Sequence, residues 1–269
     1  MFRVTEFRIG VASTPLTASI AEGIPVVLDA IRRAGMAGVE VLCLPETVLP
    51  GHRMQAAAVS EVDPAELEAA IGAVAAAAGE AGVAVVLSVE KPTPAGGEIT
   101  AVVIDADGIV LGEQPKTQID PAEEEYYVPG TGRRLFDTGG LTFAVATCHE
   151  AFRYPELCRQ AAVAGAQVVF VPHFVTVEGG APLTEWCAPG NPYNEKALLM
   201  RAMESSVYIA GANIAGAAQG SASAVIGPDG ALLAQVPYRT VGIAWADIDP
   251  SRADGLIARR WAPERNQLT

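Results

Sequence analysis

Residues 141–172 read LTFAVATCHEAFRYPELCRQAAVAGAQVVFVP, and this stretch decides the fold class. LTFAVAT is an apolar run of strand length, rich in β-branched and aromatic residues. PELCRQAAVAGA has helical length and opens on Pro155, where a missing N–H does no harm. A glycine near its end suits a left-handed C-cap. QVVFVP follows as a second buried strand. Three further segments repeat the helix-then-strand order: IPVVLDAIRRAGMAG with VEVLCLP (24–45), PAELEAAIGAVAAAAGEAG with VAVVLSV (64–89), and NEKALLMRAMES with SVYIAGAN (194–213). Between these αβ units lie hairpin signals. EITAVVIDADGIVLGEQ (98–114) carries an Asp-Gly turn, and ASAVIGPDGALLAQV (222–236) carries Pro-Asp-Gly. VGIAWADID (241–249) adds an alternating strand. Units and hairpins together imply an α/β protein with a mixed sheet, or two sheets, and helices outside. No linker cuts the chain, so 1–269 reads as a single domain, with 250–269 a candidate C-terminal arm.

The 269 residues carry a net charge of −13 and are 50% hydrophobic. That apolar fraction excludes a disordered chain, and the acidic balance argues against nucleic acid or an anionic membrane as partner. The four cysteines have neither CxxC nor zinc-ligand spacing. The N-terminus lacks a signal peptide's apolar region, and every apolar stretch breaks before the roughly 18 residues that a membrane helix needs. The expectation is a soluble, cytoplasmic protein.

Ligands collect at the carboxyl ends of strands in such sheets. Those ends carry Glu46, Glu90 and His173, while Cys148 stands where LTFAVAT turns toward the next helix. A cysteine at that kind of turn has its thiolate favoured by nearby positive partial charge. Cys43, mid-strand, and Cys158, mid-helix, read as small buried hydrophobes. Polar Thr147, His149 and Glu150 set Cys148 apart. Its partner is left open by the residues alone. Of the imidazoles His52, His149 and His173, the last would suit a papain-like Cys–His site. The other base is Glu46 in LPETVLPG, since a charge after an apolar strand and before Pro-Gly is an expensive placement without a role. Lys116 is the only lysine between Lys91 and Lys196. A capping acid and a solvated loop charge are the plain readings of these two.

Taken together, LPE at 44–46, PK at 115–116 and CHEAFRYPE at 148–156 resemble the nitrilase superfamily of carbon–nitrogen hydrolases, which carries a Glu–Lys–Cys triad in this order. The resemblance spans most of the chain. FRIGVAST (7–14) resembles the family's first strand, and EEEYYVPG (123–130) its E-x-x-[YF]-x-x-PG-type segment. RAMESSVYIAGAN (201–213) and SASAVIGPDG (221–230) resemble two later blocks. There are departures. Arg153 and Glu156 fall one residue later than in the common form, Ser205 replaces a frequent Asn, and Lys116-Thr117-Gln118-Ile119 replaces K-x-H-L.

The resemblance implies a four-layer αββα sandwich of two mixed sheets flanked by helices. It implies Cys148 as nucleophile, Glu46 as proton carrier, Lys116 with the His149 backbone N–H as oxyanion donors, and Glu123 as a supporting glutamate. No metal or organic cofactor is needed. The substrate would be a small linear amide or N-carbamoyl compound, cleaved to a carboxylic acid plus ammonia or amine. Nitriles are the alternative, disfavoured because His149 stands where the nitrilase-proper branch has Trp. A catalytically idle binding or scaffold protein of the same fold is a further alternative. Tyr126, Tyr127, His173, Phe174 and Trp186 are candidate pocket walls, and 174–192 a candidate lid. Arg153 and Glu156 read as structural, as an ion pair or helix-start charges. Glu150 reads as structural too, and Glu124 and Glu125 as solvated. Members of the superfamily pair through outer helices, so a homodimer or larger even assembly is expected.

Overall fold

The computed structural model describes residues 6–177, 179 and 182–265. One six-stranded sheet contains β1 (Phe7–Ser13), β2 (Val41–Cys43), β3 (Ala84–Thr93), β4 (Gly96–Ile104), β5 (Val110–Pro115) and β12 (Gly242–Ile248), in the order β12-β1-β2-β3-β4-β5. The other contains β6 (Phe136–Thr138), β7 (Leu141–Val145), β8 (Val168–Pro172), β9 (Tyr208–Ala212), β10 (Ala224–Ile226) and β11 (Leu232–Gln235), in the order β11-β10-β9-β8-β7-β6. Each is parallel at its centre, where the αβ units lie, and antiparallel toward its edges, where the hairpins lie. Helices α1 (Ile20–Met36) and α2 (Pro64–Ala81) cover the first sheet. Helices α3 (His149–Arg153), α4 (Pro155–Ala164), α5 (Tyr193–Ser205) and α6 (Leu256–Arg259) cover the second.

Alternation along the strands sorts side chains between layers. Val41 and Cys43 enter the core between the sheets, whereas Leu42 packs beneath α1 and α2. Val168 and Phe170 likewise face the other sheet, while Val169 and Val171 face the helices. With both faces covered, the parallel strands read as near-continuous apolar runs. The architecture is the αββα sandwich.

Helix ends follow their local chemistry. Asp63 accepts the Ala65 N–H at 2.8 Å before Pro64, and α2 ends at Gly82 with φ of 64°. Helix α1 begins earlier than the expected Ile24. Ser19 Oγ accepts from Glu22 N–H, and the Glu22 carboxylate reaches back to Ala18 N–H, so Pro25 falls inside the helix at the cost of one backbone bond. Strand β3 also runs past its expected end. Glu90 lies within it, its carboxylate held by Arg53 Nε and Nη2 at 2.8 and 2.6 Å, which lets the strand carry a buried acid. In the candidate arm, α6 packs against α4 and α5 with Ala258 buried, while 266–269 lie outside the described residues. Among the described residues no helix is long and apolar enough to cross a membrane.

Candidate active site

Glu46 follows β2, Lys116 follows β5, Cys148 follows β7 and His173 follows β8, so strand ends of both sheets converge. The Glu46 N–H donates to the His173 carbonyl at 3.5 Å, and the Phe174 N–H donates to Glu46 Oε2 at 3.0 Å. Lys116 Nζ donates to Glu46 Oε1 at 2.8 Å and to Glu123 Oε2 at 2.5 Å. All three side chains are buried. Glu123 closes a single 3-10 turn (Pro121–Glu123) capped by Asp120, whose own N–H donates to Glu123 Oε2 at 3.1 Å. Cys148 has φ of 50° and ψ of −112°. A non-glycine residue held there costs about 1–3 kcal/mol, and such strain collects at sites where chemistry fixes a side chain. Its N–H is bonded to the Pro172 carbonyl at 2.9 Å, and its Sγ lies 3.8 Å from the Phe174 carbonyl.

Burial raises the Cys148 pKa well above the ordinary thiol range. The Glu46 charge pushes the same way, and Lys116 only partly opposes it. The resting group is therefore a thiol, which would need a base to react as a nucleophile. Burial alone would lower the Lys116 pKa, yet the Glu46 and Glu123 carboxylates outweigh it and hold the group as an ammonium. For Glu123, burial would raise the carboxyl, but contact with His52 and the Lys116 charge outweigh it and hold it at about 2. Glu46, His52 and Glu123 also place ligand-type atoms within 4.8 Å of one another. Lys116 Nζ bonds both carboxylates of that group and already supplies a positive charge there. The set offers a buried thiol, a carboxylate to receive its proton and a fixed cation.

The remaining sequence candidates divide. Phe174 stacks on His52 with ring centroids 4.3 Å apart. Tyr127 is buried behind that ring, its hydroxyl accepting the Arg53 N–H at 3.0 Å, whereas Tyr126 is exposed. Trp186 packs against the core beneath α3–α6. His173 Nδ1 contacts the Val171 carbonyl at 2.9 Å, and burial pushes the imidazole down to about 4. That ring is tied to its own strand through Nδ1 and meets Phe152 edge-on, and none of the hydrogen bonds or ring contacts among the described residues joins it to Cys148. The chain after Phe174 passes through 178, 180 and 181, which lie outside the described residues. The later part of the candidate lid is tied to Glu195, which accepts from Cys187 N–H at 2.9 Å and Asn191 Nδ2 at 3.2 Å. Among the described residues Arg153 and Glu156 form no ion pair, and the Arg153 guanidinium lies 4.1 Å over the Tyr193 ring instead.

Three features were not evident from the sequence. His52, six residues after Glu46, approaches Glu123 Oε1 at 3.3 Å. The His149 ring, next to Cys148 in sequence, has Nδ1 2.7 Å from Asp120 Oδ2. Glu150 accepts the N–H of Thr117 at 2.6 Å and of Thr147 at 2.8 Å, and pairs with Arg133. It joins the segment after Lys116 to the one before Cys148.

The carbon–nitrogen hydrolase family model matches residues 8–258. Comparison with curated protein sequences gives no match. Among solved structures, an amidase from Nesterenkonia sp. is 27% identical with a TM-score of 0.80, over 98% of this chain and 97% of that one. A glutamate variant of the Nesterenkonia sp. AN1 amidase, with the acetamide moiety of fluoroacetamide added covalently at its active-site cysteine, is 28% identical (TM-score 0.80; 99% and 98% covered). A cysteine variant of that amidase in complex with butyramide is also 28% identical (TM-score 0.80; 99% of each chain). With the family model spanning nearly the whole sequence and an amidase fold matched from end to end, this chain belongs to the carbon–nitrogen hydrolase family, as an amidase-like member of the nitrilase superfamily.

Proposed function

We propose that this single-domain enzyme hydrolyses small linear amides or N-carbamoyl compounds through a thioester on Cys148. One observation carries the reading. A buried ammonium, Lys116, is clamped by Glu46 and Glu123 beside a thiol held at positive φ. As sulfur attacks the amide carbon, the thiol proton passes to Glu46. The developing oxyanion is held by Lys116 Nζ and the His149 N–H, which as the first amide of α3 has no intrahelical acceptor. Collapse breaks the C–N bond while Glu46 hands the proton to the leaving nitrogen. Water, deprotonated by Glu46, then attacks the thioester, releases the acid and restores the thiol. Every proton is accounted for with no cofactor or metal.

Short aliphatic amides are the favoured substrates, because the similar amidase binds butyramide and accepts the acetamide moiety on its cysteine. Phe174, Tyr126, Tyr127, His173 and Trp186 are the side chains from which the pocket wall would be drawn. A cytoplasmic home suits four free cysteines. A homodimer or larger even assembly would cover Val163, Leu256, Ile257 and Trp261, all exposed around α4 and α6. Light scattering at micromolar concentration should then give at least twice the 27.8 kDa chain mass, and a strictly monomeric mass removes the assembly. The test of function is an ammonia-release screen over short aliphatic amides, dicarboxylate monoamides, N-carbamoyl amino acids and matched nitriles. Amides should turn over faster than nitriles of the same acyl chain. Faster conversion of nitriles to free acid would reverse the preference. No turnover with an inert Cys148 would favour the scaffold reading.

A further inference from the structure

Two buried carboxylates share one ammonium in this site, and the chemistry needs only one of them to change protonation. Their surroundings differ. Glu46 accepts from Lys116 Nζ at 2.8 Å and from the Phe174 N–H at 3.0 Å. Glu123 accepts from Lys116 at 2.5 Å and from the Asp120 N–H at 3.1 Å, and its other oxygen faces His52 Nε2 at 3.3 Å. His52 stands 3.8 Å from Glu46 Oε2, so it favours Glu123.

The backbone fixes what His52 can offer. The Met54 N–H donates to His52 Nδ1 at 3.3 Å, so Nδ1 is the acceptor and the ring proton sits on Nε2, which approaches Glu123 Oε1 at 3.3 Å as a close dipole–charge contact without a well-aligned hydrogen bond. The ring has little freedom to turn away. It is 2% exposed, stacked on Phe174 at an interplanar angle of 3°, and met on its edge by Tyr127. The neighbouring Arg53 is bound to Glu90, which keeps that cation off the two glutamates. The groups that face His52 are therefore Glu46, Glu123 and Tyr127, with Lys116 behind the carboxylates and the Arg53–Glu90 pair alongside.

We propose that His52 is a positioning residue that divides the labour of the two glutamates. Its Nε2–H keeps Glu123 a permanent carboxylate, which anchors Lys116, and leaves Glu46 as the group that takes and returns the proton. The proposal rests on the Glu–Lys–Cys reading given above. Without the donor, Glu123 would bind a proton more readily, loosen its hold on Lys116 and compete with Glu46.

The test compares wild type, His52→Phe and His52→Gln, with thermal melts to verify folding. Phe keeps a flat ring against Phe174 but has no donor, whereas Gln restores an N–H at similar reach. With a short aliphatic amide, His52→Phe should lower kcat about 10–100-fold, since it removes an N–H dipole aimed at a buried carboxylate, with little change in KM. The acid limb of its pH profile should move toward neutral pH, because losing the donor raises the Glu123 pKa. His52→Gln should recover most of both. A folded His52→Phe with wild-type kcat and acid limb, or a folded His52→Gln as damaged as His52→Phe, would overturn the proposal. Nitrogen-15 spectra of wild type give a readout independent of substrate and of variant folding, since the chain has three histidines. His52 should show a bare Nδ1 and a protonated Nε2, and a protonated Nδ1 would overturn the assignment. If no amide is turned over, the amide reading fails while this measurement still decides the role of His52.

Discussion

The proposed mechanism assigns Lys116 and Glu46 separable duties, and substitution should part them. Lys116→Gln keeps the chain length and a donor but removes the charge, so kcat should fall about 100–1,000-fold, the cost of one oxyanion donor. Steady-state kinetics with a short amide measures this, and KM should move far less than kcat. Glu46→Gln should abolish turnover for lack of a proton carrier. Yet it should make the thiol easier to ionise, because the Glu46 charge is one of the causes that raise the Cys148 pKa. The pH midpoint for alkylation of Cys148 by iodoacetamide should move down in that variant while turnover disappears. Four members of the site were legible as motif pieces: LPE gave Glu46, PK gave Lys116, EEEYYVPG gave Glu123 and CHEAFRYPE gave Cys148. His52 was legible only as an imidazole without a place. Nothing in the spacing says that the loop after Glu46 turns back to set a ring between Phe174 and Tyr127.

The elements that bring these side chains together belong to different sheets, and Glu150 is where they are fastened. Its carboxylate accepts from Thr117 N–H and Oγ1, Gln118 N–H and Thr147 N–H, and pairs with Arg133. The end of β5 and the end of β7 thus share one fully buried acid. Glu150→Gln keeps two of the carboxylate's properties, size and an acceptor oxygen, but puts an amide group against backbone donors. We expect a loss of about 1–3 kcal/mol in stability, typical of leaving buried donors unpaired, seen as a lower midpoint in urea. The rate should fall with KM little changed, as Lys116 loses its fixed distance from Cys148. The sequence marked Glu150 as structural without locating its partners, since they lie more than 30 residues away for Thr117. The αβ units and hairpins were legible because period and turn residues are local. The start of α1 and the length of β3 were not. They depend on a side-chain cap at Ser19 and on the Arg53–Glu90 pair, which override the breaker Pro25 and the charge of Glu90.

At the scale of the molecule, acid stability reports on buried groups far from solvent. His173 is fully buried, and burial holds its pKa at about 4 in the folded chain, below the ordinary imidazole value of 6.5. Between those values the unfolded chain binds the proton and the folded one does not. The contribution is therefore complete above about pH 6.5 and is lost as pH falls toward 4, amounting to about 3 kcal/mol over the window. Melting curves from pH 7 to 4 should show this decline, and His173→Gln should flatten it, whatever its own stability. The αββα layering itself was legible as helices outside mixed strands, but the pairing of two separate sheets was carried by the resemblance. Alternation between two buried faces, as at Val41, Leu42 and Cys43, reads from sequence as one continuous apolar run. The central claim is that the molecule exists to place one thiol, Cys148, against an amide carbon. Ammonia release from a short aliphatic amide, measured side by side for Cys148→Ala and Cys158→Ala, tests it most directly. The account predicts no turnover above background in Cys148→Ala, with Cys158→Ala losing stability from its buried helix position but retaining the chemistry. Sustained ammonia release by Cys148→Ala would contradict it.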